Sequence, residues 1–159
     1  MDTTLTIRMA RRHDAAELRD LFQDTVLTVN SQDYTQEEIE DWASCGNDLS
    51  HIDDMINSHH FIVALNRKSI LVGFSSITPG GYLHNMFVHR KYQRMGVATA
   101  LLNEIERYAR DTDIKTITTE VSLTARAFFE NKGFAVEKRQ KRKANRLFLT
   151  NFVMTKKIV

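Results

Sequence analysis

A short apolar stretch ending at Val88 runs into His89-Arg90-Lys91-Tyr92-Gln93-Arg94-Met95-Gly96-Val97-Ala98-Thr99, and Ala100-Leu101-Leu102 carries on as one side of an amphipathic helix. A strand that turns directly into a helix leaves backbone N–H groups unpaired at the helix N-terminus, where the helix dipole adds positive potential. Such a turn suits a phosphate or pyrophosphate. Gly96 removes a Cβ from the approach to that anion, and Arg90, Lys91 and Arg94 add positive charge. The turn lacks the Gly-Lys-Ser/Thr ending of a triphosphate loop. It is also not a dinucleotide fingerprint, because Gln93 and Ala98 stand where glycines are needed. Taken alone, Gln-x-x-Gly-x-Ala reads either as an anion at a helix start or as a plain strand-turn-helix connection with a solvated basic turn.

Val88-His89-x-x-x-Gln93-x-x-Gly96-x-Ala98, followed by Leu101-Leu102, resembles the acyl-coenzyme A loop of the GNAT superfamily of N-acyltransferases. Arg90 stands where that family often has Pro. A second stretch, Ser122-Leu-Thr-Ala125-Arg-Ala-Phe128-Phe129-Glu-Asn-Lys-Gly133-Phe134, is similar to the family's later helix ending in Gly-Phe, and the two come in the expected order. The resemblance implies acetyl-CoA or CoA as cosubstrate, with no metal. It assigns the pyrophosphate to Gln93, Arg94, Met95, Gly96, Val97, Ala98 and Thr99. Met86, Phe87 and Val88, at a splay in the sheet, would hold the pantetheine and polarise the thioester carbonyl. Ser122 and Phe129 would flank the same ligand.

The implied reaction is acetyl transfer to a primary amine of a small molecule or protein, by direct attack in a ternary complex. It asks for a neutral amine, a stabilised oxyanion and a protonated leaving thiolate. Relatives often carry a carboxylate base on the strand before the loop, and this chain has none between residues 81 and 88. His84 is the nearest titratable substitute, with Tyr82 beside it. A water relay without a dedicated base, or a merely structural His84, are the other readings. Strand alternation puts Tyr82, His84, Met86 and Val88 on one face and Leu83, Asn85 and Phe87 on the other. The family's usual acid, a Tyr four residues before Gly-Phe, is here Phe129, which cannot donate a proton. Tyr82, Tyr92 or Tyr108 could replace it, or the thiolate could leave unassisted, a thiol of pKa about 8.5 being a tolerable leaving group. These departures also suit a second reading, an acyl-CoA-binding sensor with little catalysis.

The elements that must position these residues follow from periodicity. Thr6–Met9 reads as a strand, and Asp14 with Glu17 as a capping box for a helix carrying Ala15, Leu18, Leu21, Phe22 and Val26. Thr35 and Glu38 cap a second helix, with Gly46 as its stop. A third short helix covers 49–57. Strands follow at 60–65, 70–77 and 82–88, the first two joined by Asn66-Arg67-Lys68-Ser69. The helix from Gly96 places Ala98, Leu101, Leu102, Ile105 and Ala109 on one core-facing stripe. A strand at 115–121, a helix at 125–132 and a hairpin of 135–142 with 147–156 complete the chain. The expected fold is α/β, mixed in the α+β sense. It is a GNAT-like three-layer arrangement, with a central, mostly antiparallel sheet of about six or seven strands and helices on both faces.

Length 159 suits one domain with one substantial core, spanning residues 1–159. A lone Cys45 excludes an internal disulfide and fits a reducing cytoplasm. The start of the chain lacks the build of a secretory signal, and no stretch is apolar enough to span a membrane. A net charge of +2 gives no nucleic-acid expectation, although 138–146 is strongly basic. The acid-rich 31–57 segment hints at a cationic acceptor. Homodimerisation is compatible with the sequence. His59-His60 face opposite ways on a strand and make no metal site.

Overall fold

The computed structural model describes residues 4–159. Its centre is one sheet ordered β1-β2-β3-β4-β5-β7-β6. The strands are β1 (Thr6–Met9), β2 (His60–Leu65), β3 (Leu71–Ile77), β4 (Tyr82–Val88), β5 (Thr116–Ser122), β6 (Ala135–Lys143) and β7 (Phe148–Lys157). Every neighbouring pair is antiparallel except β4 with β5. A parallel pair needs a crossover, and the long helix α4 (Val97–Asp111) supplies it. Helices α1 (Ala15–Thr28), α2 (Gln36–Ala43) and α3 (Leu49–Ser58) cover the opposite face, and α5 (Arg126–Asn131) follows β5. The layered, mostly antiparallel fold expected from the sequence is present. Among the described residues no helix is long and apolar enough to cross a membrane.

β3 is buried along its whole length because both faces are covered. On one side Val72 and Ile77 join Leu83, Leu101, Leu102 and Ile105 under α4. On the other, Phe74 joins Leu18, Phe61 and Ile52 under α1 and α3. Gly73 lets α4 approach closely: a Cβ there would meet Val97 Cγ1 at 2.8 Å and the Phe87 carbonyl at 3.0 Å.

Two helix boundaries differ from expectation. Thr35 and Glu38 do form a capping box on α2. Asp14 does not cap α1, however. Its carboxylate turns back to accept from Arg11 N–H at 2.7 Å and pairs with Arg8 at 2.8 Å, because a buried carboxylate gains more from a guanidinium than from a weak capping bond. α2 ends at Ala43, three residues before Gly46. Gly46 sits inside a 3-10 turn (Ser44–Asn47), where its missing side chain makes room for Phe22.

The acid-rich segment is largely occupied in holding the fold. Glu38 and Asp48 cap helices, Asp53 faces Arg12, and Asp41 anchors the β6–β7 turn. The Asp41 carboxylate, 1 % exposed, accepts from the backbone N–H groups of Asn145, Arg146 and Leu147. This clamp joins α2 to the closing hairpin, where Leu147 and Leu149 pack near Trp42 and Tyr34. The basic run belongs to β6, the sheet's edge strand, most of whose residues are exposed. Lys and Arg on an edge strand discourage pairing with other chains.

Candidate active site

β4 and β5 pair only at Tyr82↔Thr118 and Leu83↔Thr119 and then separate. A cleft of about 1300 Å³ opens along this splay and runs from the turn before α4 to α2, α3 and the β6–β7 hairpin. Of the residues expected to hold the cosubstrate, Met86, Phe87, Val88, Gln93, Arg94, Gly96, Val97, Ala98, Thr99, Ser122 and Phe129 line it, as do Tyr82 and His84. Met95 does not.

At one end is the turn. Gly96 has φ +85°, and a Cβ added there would meet nothing within 4 Å. The space in front of its backbone is therefore open to a ligand. Arg94 is also left-handed, at φ 59°. The first bond closing this end of α4 runs from Ala100 N–H to the Gly96 carbonyl, so the N–H groups of Val97, Ala98 and Thr99 have no acceptor in the helix. This is a concave, donor-only surface of the kind that holds phosphate oxygens. The side chain of Gln93 points back to the strand instead. It donates to the Val88 carbonyl at 2.6 Å, and Thr25 donates to the same oxygen at 3.3 Å. Where the splay removes β5 as a partner, side chains take over the strand's hydrogen bonding.

Strict alternation along β4 fails at a bulge. The register steps from Ser76↔Asn85 to Ile77↔Leu83, leaving His84 as the extra residue. Leu83, Met86 and Val88 consequently pack together toward α4. Phe87 packs on the other side against Phe22 and Phe74, and Asn85 donates to Ser76 Oγ at 2.9 Å. His84 projects beside Tyr82 and the α3-terminal His59, with ring centroids 5.6 and 5.5 Å away. Tyr82 and His84 thus share their side with Asn85 and Phe87, not with Met86 and Val88.

The cleft walls strip water from His84 and push its pKa down to about 4, and the nearby His59 and His51 act in the same direction. It is neutral near pH 7. The Tyr82 hydroxyl donates to Glu120 at 2.8 Å; burial, reinforced by this carboxylate, raises its pKa. Burial works against the Glu120 carboxylate, but bonds from Arg142, Tyr82 and Gln140 outweigh it and hold its pKa below the ordinary range. Sequence reasoning misses Glu120 and Arg142. The one readable signal is a carboxylate on β5 facing away from the buried Ile117, Thr119 and Val121.

The remaining candidates are engaged elsewhere or inert. Phe129 is core, 3 % exposed and edge-on to Phe128 and Phe134. Tyr108 stacks on His60 away from the cleft. Tyr92 lines the cleft, but its oxygen accepts from Asn66. The Tyr34 hydroxyl bridges Leu123 N–H and the Thr150 carbonyl. Ser122 Oγ accepts from Ala125 N–H at 3.1 Å and from Asn30 Nδ2 at 3.5 Å. Burial raises the Cys45 thiol's pKa, so it is a weak nucleophile. Among the described residues no group of three or more His, Cys, Asp or Glu side chains is arranged to hold a metal ion.

Residues 30–156 match the family model of the acetyltransferase (GNAT) domain. The chain belongs to the GNAT acetyltransferases. It is 29 % identical over 150 residues to YafP of Escherichia coli K12, named as an uncharacterized N-acetyltransferase, and the match covers 94 % of each chain. A GCN5-related N-acetyltransferase structure from Rhodopseudomonas palustris superposes with a TM-score of 0.93 at 26 % identity, covering 97 % of this chain and 96 % of that one. The PaiA N-acetyltransferase of Thermoplasma acidophilum, solved with coenzyme A, matches with a TM-score of 0.80 at 19 % identity over 97 % and 99 % of the two chains. This GNAT protein is accordingly an acetyl-CoA-dependent acyltransferase.

One consequence of the acetyltransferase's histidines is a stability that depends on pH. His84 is desolvated by the cleft walls and His59 by its burial at the end of α3. His60 is desolvated under α4, where its Nε2 lies 3.8 Å from Glu104, too far for a hydrogen bond. All three pKa values are lower in the folded chain than the ordinary 6.5. Between the folded and unfolded values the unfolded chain binds more protons, so stability falls as pH falls. Thermal unfolding followed by circular dichroism is expected to show Tm declining from about pH 6.5 toward pH 4, and His60→Phe is expected to flatten part of that decline.

Proposed function

We propose that residues 1–159 act as a single N-acetyltransferase domain that moves the acetyl group of acetyl-CoA onto a primary amine by direct attack in a ternary complex. The observation that carries this reading is the continuity of the cleft. An anion cradle at Arg94–Thr99 opens into the same space as the β4–β5 splay and as a neutral imidazole, His84. In this reading the N–H groups of Val97, Ala98 and Thr99 hold the pyrophosphate. Backbone at Phe87–Val88 holds the pantetheine and polarises the thioester carbonyl. His84 accepts the proton released from the amine nitrogen as the C–N bond forms. Both bonds to Ser122 Oγ are incoming, so its own O–H is available to steady the departing thiolate that Phe129 cannot protonate.

General bases are most effective when their pKa lies near the working pH. At about 4, His84 is available but weak. His84→Ala is therefore expected to lower kcat/KM by about tenfold, below the 10²–10⁴ of a well-tuned base, with acetyl-CoA binding retained. An unchanged kcat/KM removes His84 from the mechanism.

The reading as a whole is tested by thermal shift with acetyl-CoA, followed by release of free thiol against a panel of amines. A raised Tm and turnover that survives Cys45→Ala support direct transfer. A raised Tm with no turnover favours the sensor reading, for which the buried Phe129 is the observation. No shift at millimolar acetyl-CoA overturns both.

A further inference from the structure

The polar wall facing His84 is built by three strands that meet beyond the splay. Glu120 on β5 accepts from Tyr82 on β4 and from Gln140 and Arg142 on β6. Glu120 is 13 % exposed and Arg142 62 % exposed. Glu120 is therefore a largely covered brace at the cleft wall, and Arg142 is the wall's most exposed polar group in the cleft. A guanidinium has five N–H donors in a planar fork. One, on Nη1, goes to Glu120; among the described residues no other hydrogen-bond acceptor meets the rest. Lys143, the next residue on β6, also lines the cleft.

The cleft's carboxylates point the same way by their scarcity. Among the described residues only Glu120 and Asp33 line it. Glu120 already accepts three hydrogen bonds and holds an ion pair. Asp33 is solvent-exposed in the connection between α1 and α2. The other acids of 31–57 lie outside the cleft, so of that segment's acids Asp33 alone still faces an acceptor. On the Glu120–Arg142 wall the uncommitted charge is positive, carried by Arg142 and Lys143, while elsewhere in the cleft Asn151 Oδ1 is a buried acceptor without a partner among the described residues.

We propose that Arg142, braced by Glu120, binds a carboxylate carried by the acceptor, so that the substrate class is a free amino acid or a close zwitterionic relative. Its amine lies at His84 and its carboxylate at the Arg142 fork. His84 lies against the Tyr82 ring, whose hydroxyl meets the same Glu120 carboxylate that Arg142 holds, and the Arg142 charge acts on His84. Arg142 is a specificity-determining residue here, Glu120 a positioning residue, and neither moves a proton. The inference rests on the N-acetyltransferase reading and deepens it.

The test compares matched pairs: phenylalanine with phenethylamine, methionine with 3-methylthiopropylamine, and lysine with cadaverine. Thiol release gives kcat/KM for each, and isothermal titration with CoA present gives binding without turnover. The carboxylated member is expected to be preferred by at least about tenfold, since charge-assisted bidentate bonds are strong but this one is partly screened. Arg142→Gln is expected to bring that ratio near one through KM, Arg142→Lys to restore part of it, and Glu120→Gln to lower it. A preference for decarboxylated amines, or a ratio unmoved by Arg142→Gln, overturns the inference and leaves the N-acetyltransferase reading standing. So does acetyl-CoA binding with no amino acid bound. Loss of acetyl-CoA binding by the unaltered protein overturns that reading and the inference with it.

Discussion

Gly96→Asp is expected to abolish the thermal protection that acetyl-CoA gives the protein, while leaving a folded chain. Two effects act at this position. A side chain at φ +85° costs about 1 kcal/mol, and Asp and Asn tolerate the left-handed region best. That backbone cost is the smaller of the two. The larger effect is electrostatic: the new Cβ projects into the open cradle, so a carboxylate there faces the phosphate oxygens that the cradle is proposed to hold. Two like charges about 4 Å apart near a protein surface repel by about 4 kcal/mol, which amounts to a weakening of at least about 100-fold. Gly96→Asn carries the same backbone penalty without the charge. Titration of both variants with acetyl-CoA by thermal shift separates the effects: Asn should weaken binding modestly and Asp should remove it. Equal affinities for the two would mean that no phosphate sits in front of Gly96.

The second large effect is expected at Asp41. Its buried carboxylate satisfies three backbone N–H groups of the β6–β7 turn. These bonds are the main reason its pKa lies below the ordinary carboxylate value. Asp41→Ala removes the one acceptor shared by three backbone donors, and donors left unpaired carry a desolvation penalty. A fall in Tm of roughly 5–10 °C is expected for a chain of this size. Acceptor turnover should fall as well, since the turn it fixes closes the cleft beside Trp42. The pH dependence has a definite sign. A carboxylate with a depressed folded pKa contributes stability above its unfolded pKa, and that contribution is lost as pH falls through the folded value. The difference between wild type and Asp41→Ala should thus persist across neutral pH and shrink only below the ordinary carboxylate range. A constant difference down to strong acid would show that the charge contributes nothing.

What can be read from the sequence is local. The turn before α4 declares itself because Gly96, the basic residues and the helix stripe are adjacent in the chain. The Thr35–Glu38 box is legible for the same reason. What escapes depends on pairing between distant segments. Glu120, Gln140 and Arg142 meet only because β5, β7 and β6 lie side by side. The side on which Asn85 and Phe87 lie is reversed by one inserted residue at His84, and strict period-2 alternation does not allow for a bulge. Asp14 fits a capping pattern, yet Arg8 from β1 captures it. Asp41 resembles one more solvated acid on a helix until the hairpin folds onto it.

The splay has a meaning for folding as well as for binding. β1 to β4 form one half-sheet and β5 to β7 another, and only two residue pairs, Tyr82↔Thr118 and Leu83↔Thr119, join them directly. Zipping β4 and β5 together requires closing the long α4 excursion, a loop whose entropy must be met before any bond across the seam forms. Little backbone pairing rewards that closure. The seam is therefore a late and inexpensive line of attachment, and leaving it unzipped along most of its length costs the protein few hydrogen bonds.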